Sequence, residues 1–101
     1  MNVTEVIRQL ECEWDLDGFF GRLRDGVLDA TALKRTKKLV KSIRFGRAKL
    51  IDRRLVSLLW FIPVFMEWQR ERVHEVSGEL DRLERAIRYF QDLLQDVLGL
   101  P

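Results

Sequence analysis

Leu80, Leu83, Ile87, Phe90, Leu94 and Val97 recur at spacings of three and four, the cleanest apolar period in the chain. They predict a helix that follows the turn Ser77-Gly78, with Ser77 as its cap, and ends at Gly99 and Pro101. At the other end, Val3, Ile7, Leu10 and Trp14 form one face of a first helix. Asn2 stands as its N-cap, and Glu5 is placed to reach back in a capping box. Asp15 is positioned to cap a second, shorter helix carrying Leu16, Phe19, Phe20 and Leu23, with Gly26 as its stop. Gly18 and Gly21 should weaken that helix by roughly 1 kcal/mol each relative to alanine.

Asp29 is the next N-cap, opening Ala30–Ile43 with Leu33, Thr36, Val40 and Ile43 on one side, and Phe45-Gly46 closes it. From Ala48 the pattern resumes through Ile51, Leu55, Leu58, Leu59, Ile62, Phe65 and Met66 to Val73 and Val76. Pro63 lies inside this run, where it removes a backbone donor and crowds the carbonyl of Leu59, so a kink or break is expected there. No segment alternates with period two. The fold class is therefore all-α: a compact bundle of four or five helices with a hydrophobic central helix kinked or broken at Pro63. At 101 residues it forms one domain over residues 1–101.

Leu55–Met66 contains no charged residue and is apolar nearly all round, which fits either a central helix or one covered by a second copy. Three tryptophans in so short a chain point the same way, because Trp is enriched at interfaces. Trp60, Phe61 and Trp68 are the expected interface anchors, in a homodimer or with a partner.

Charge changes the picture more than composition does. Residues 29–54 hold ten Lys or Arg against Asp29 and Asp52, a local +8 between flanks of −3 each. The net charge of +2 conceals that field. Lys34, Lys37, Lys38 and Lys41 fall at i, i+3, i+4 and i+7, one helix face, and Arg44 and Arg47 extend it. Such a face suits an acidic protein surface or a phosphate backbone. The short helix, the turn at Gly26–Asp29 and the basic helix even have helix-turn-helix proportions. Against base readout, the first turn offers only Ala30, Thr31 and Ala32, and no aromatic interleaves the lysines for stacking.

Catalytic signatures fail on context. Asp15-Leu16-Asp17-Gly18 has the Asp-x-Asp-Gly form of haloacid-dehalogenase-type phosphatases, but that chemistry needs a buried strand before it and a parallel sheet around it. Read as a calcium loop, the same string puts Phe19 at a ligand position and the glycine out of place. His74 is the only histidine and reads as a solvated helix residue. Cys12, flanked by Glu11 and Glu13, is disfavoured as a thiolate. One Cys and one His preclude a four-ligand Cys/His zinc site, and no phosphate-cradling glycine loop is present. No metal, cofactor or enzymatic activity is expected.

The lone cysteine, the acidic N-terminal region and an uncharged run too short for a bilayer together suggest a cytoplasmic protein without a membrane span. The expectation is a small non-enzymatic protein-interaction protein that binds an acidic partner through its basic helix face. Bacterial immunity or antitoxin-type proteins are the concrete version, by analogy of size and class. The alternative is a small nucleic-acid-binding protein using residues 34–54 on phosphates.

Overall fold

The computed structural model describes residues 1–101 and contains six helices and no strand. They are α1 (Val3–Trp14), α2 (Phe19–Arg24), α3 (Ala30–Lys41), α4 (Arg53–Trp68), α5 (Arg70–Val76) and α6 (Leu80–Leu98). Only Gln69 separates α4 from α5, so the path is that of five helices with one interrupted. The four long helices form a ring in which α1 packs on α3 and α4, and α6 packs on the same two. Helices α3 and α4 therefore occupy opposite corners and share at most marginal contact. Twenty-one apolar residues fill the single core between them, with Phe19, Phe20, Leu59, Ile62, Met66 and Phe90 among the fully buried.

Local chemistry sets the helix starts. The Asn2 side chain accepts from the Glu5 backbone N–H at 3.0 Å, and Asp29 does the same for Ala32 at 3.1 Å. The reciprocal half of the capping box is not made. Glu5 turns instead to Arg8, at 2.5 and 3.0 Å, and to the Gln9 amide at 2.9 Å. The Arg8 hydrogen bonds, helped by Gln9 and opposed by slight desolvation, lower the Glu5 pKa to about 2. The unfolded-state value is about 4.3, so the carboxylate's contribution is complete above that pH and disappears as pH falls toward about 2. In a carboxyl-carbon NMR titration Glu5 should show a midpoint near 2. That midpoint should return toward about 4.3 in Arg8→Ala, and a wild-type value near 4.3 would mean the pair does not form in solution.

Several boundaries differ from the sequence expectation. Helix α2 starts at Phe19, not after Asp15, because the Glu13 side chain reaches out of α1 and accepts from the Phe19 N–H at 3.1 Å. Helix α3 stops at Lys41 and α4 begins only at Arg53, capped by Asp52 at 2.8 and 3.2 Å to the N–H groups of Arg54 and Leu55. Ala48 to Ile51 are not helical, and Leu50 is 92% exposed. Ser77 ends α5 rather than opening α6: its hydroxyl donates to the Val73 carbonyl, and Gly78, at φ +68°, donates its N–H to the same oxygen.

The chain does not break at Pro63. Helix α4 runs through it, since Pro63 sits on the half-exposed side while Leu59, Ile62, Phe65 and Met66 hold the other side in the core. The interruption comes at Gln69, whose side-chain amide donates to Phe65 O at 3.3 Å while its backbone N–H donates to Met66 O. No helix is long and apolar enough to cross a membrane.

Candidate functional site

Helix α3 presents Lys34, Lys38 and Lys41 to solvent, as the spacing predicts. Lys37 departs from them. It leans toward α6, with Nζ 4.5 Å from the centroid of the Tyr89 ring. Helix α3 runs parallel to α6, and this neighbour enlarges the basic surface: Lys37, Arg82 and Arg85 line one recess with Leu28, Ala30 and Leu33 as its apolar floor. Arg82 and Arg85 escaped the sequence reading because only the topology sets α6 beside α3.

The other cations divide by role. Arg35, on the α1 side of α3, is drawn onto the buried Glu13 at 2.5 and 2.8 Å, and that contact raises its pKa. Arg44 folds back to donate to the carbonyls of Lys41 and Ile43, so it caps the end of α3 more than it extends the face. Arg47 lies exposed in the connection that follows. Arg54 pairs with Glu11, and Arg70 bridges Glu67 and Glu84.

All seven ion pairs in the molecule use arginine, and none uses a lysine. Lys34, Lys37, Lys38 and Lys41 thus keep their charge unneutralised. Of the acidic residues on α6, Asp96 alone shares a recess with Lys41 and Arg44, and it makes no ion pair there. Comparison with protein-family models, curated proteins and solved structures finds no match to this chain.

The expected anchors lie on the opposite corner of the bundle. Trp60 is 52% exposed and Trp68 67%, while Phe61 is half-buried between them. Trp14 links this surface to the core: it stacks on Phe20 at 4.1 Å and on Phe61 at 5.9 Å, and its indole N–H donates to Leu58 O. The basic residues and the aromatic anchors are therefore two surfaces, not one composite site.

The remaining chemistry-bearing residues are scattered. Asp15 and Asp17 are exposed in the turn between α1 and α2, His74 is exposed on α5, and Cys12 is exposed on α1. No three His, Cys, Asp or Glu side chains come together in a group able to hold a metal ion.

Proposed function

We propose that this chain is a non-enzymatic interaction protein that docks an acidic protein surface on the basic face of α3 and the adjoining edge of α6. The carrying observation is the contrast in ion pairing: every ion pair recruits arginine, while the lysines of α3 have none. Cations held on a rigid helix without internal partners raise the association rate and fix register with an acidic surface. The apolar floor of Leu28, Ala30 and Leu33 beneath Lys37, Arg82 and Arg85 adds contact that a phosphate backbone would not use. An immunity- or antitoxin-like role, in which one small domain blocks a partner, is the concrete form of this reading.

Nucleic acid is the second reading, favoured by the same unpaired lysines, which would suit phosphates equally well. Anisotropy titrations of a labelled glutamate-rich peptide and a labelled DNA duplex, each at about 50 and 200 mM salt, separate the two. The expected result is peptide binding that Lys34→Glu/Lys38→Glu/Lys41→Glu weakens at least tenfold, by rough analogy with paired interface charges. Tighter binding to the duplex, with affinity dropping by about a hundredfold or more across that salt range, would replace this reading with the second. No binding of either probe at the lower salt would remove both.

A further inference from the structure

Where α3 and α6 run side by side, their facing stripes keep the same step. Ala30, Leu33, Lys37 and Lys41 follow at three, four and four residues on α3, as do Arg82, Arg85, Tyr89 and Leu93 on α6. Lys37, over the Tyr89 ring, marks the middle of this seam and divides two recesses. The first, of about 210 Å³, is the one floored by Leu28, Ala30 and Leu33 beneath Lys37, Arg82 and Arg85. The second, of about 370 Å³, is lined by Lys41, Phe45, Leu93, Asp96 and Val97 among others. Leu33, Phe45, Tyr89, Leu93 and Val97 are half-buried, packed on the core yet still reached by solvent. The seam is thus a straight groove with an apolar floor.

Its rim is cationic. Lys37, Lys41 and Arg85 form no ion pair, and Arg82 reaches only its neighbour Glu79, at 3.6 Å. Asp96 is the one acid lining either recess. A complementary occupant therefore sets carboxylates over Lys37 and the first recess, and an uncharged anchor beside Asp96. Spacing gives that occupant its form. From Arg85 to Asp96 the recesses lie eleven residues apart on α6, about 16 Å along the axis. A helix laid in the groove covers this distance in three turns, so its residues i and i+11 enter both recesses from one face. An extended segment would leave its N–H and C=O groups against side chains, with no sheet edge to pair them, whereas a helix satisfies its own. We propose that the α3–α6 groove receives an amphipathic helix of a partner protein, with two apolar anchors three turns apart and carboxylates between them. This rests on the basic-face reading and adds to it the form of the acidic partner.

The test is fluorescence anisotropy of the full chain with labelled helical peptides of about 18 residues, at about 150 mM salt. One peptide carries Leu and, eleven positions on, Phe, with glutamates between them on the same face. A second has both anchors changed to Ala at the same charge, and a third holds them nine positions apart, on opposite faces. The first should bind about thirtyfold more tightly than either control. Leu33→Lys removes the floor of one recess while adding to the basic charge, and should cut that ratio to about threefold or less. Ala30→Tyr fills the same recess from an exposed position and should do likewise, which keeps the test decisive if circular dichroism shows Leu33→Lys unfolded. Equal binding of the three peptides would overturn the groove and leave the basic face standing as a site for charge alone. A thirtyfold ratio that survives Ala30→Tyr would overturn it too. No binding of any peptide would remove both readings.

Discussion

Glu13→Ala should lower the free energy of unfolding by about 2–3 kcal/mol, measured by urea denaturation. For a domain of this size that is a fall of about 10–20 °C in Tm. Glu13 is only 4% exposed, and its carboxylate accepts from Phe19 N–H at 3.1 Å and from Arg35 at 2.5 and 2.8 Å. Removing it takes the acceptor from the first N–H of α2, on the fully buried Phe19. Arg35 is 57% exposed and is resolvated at little cost, so most of the loss comes from the cap and not from the ion pair. Glu13→Gln keeps an oxygen for Phe19 and should therefore cost only about 1 kcal/mol. Arg35→Ala leaves the buried carboxylate with the Phe19 N–H alone and should fall between the two. If Glu13→Ala came within about 0.5 kcal/mol of wild type, the start of α2 would be held by other means.

Gly21→Ala should destabilise the protein by about 2–3 kcal/mol, although helix propensity alone predicts a gain of about 1 kcal/mol. A β-carbon at Gly21 would lie 1.9 Å from Asp15 O and 2.7 Å from both Asp15 C and Leu16 O. These are backbone atoms of the α1–α2 turn, with no flexible side chain to yield. Gly18 is in the same position, at 2.3 Å from Cys12 O and 2.4 Å from Glu13 O. Both glycines let α2 lie directly on the end of α1, which brings Phe19 within reach of Glu13 and Phe20 under Trp14. The sign of the change in unfolding free energy is the measurement: stabilisation by Ala would mean that α2 can ride outward without loss of packing.

These two residues also mark where sequence reasoning reached its limit. The caps at Asn2 and Asp29 were legible because each bonds a backbone N–H three residues away. The period of α6 was legible because one side of it faces the core along its length, from Leu83 to Leu94. Gly18 and Gly21 read as weak helix formers because the backbone they approach lies outside their own helix. In the sequence Glu13 is only an acid beside Cys12, since its partners, Phe19 N–H and Arg35, exist only once α1, α2 and α3 have met. The Asp52 cap is hidden in the sequence because Ile51 prolongs the apparent period across it. On the candidate surfaces, Trp60 and Trp68 are exposed, while Lys37 and Arg44 are turned to contacts within the chain. Arg82 and Arg85 join the basic face through helix adjacency, which no local spacing encodes.

Because α3 and α4 stand at opposite corners of the ring, the lysine face and the surface of Trp60 and Trp68 look in opposite directions. Whatever covers one leaves the other open. Two partners, one held by charge and one by apolar contact, would therefore not compete for the same ground.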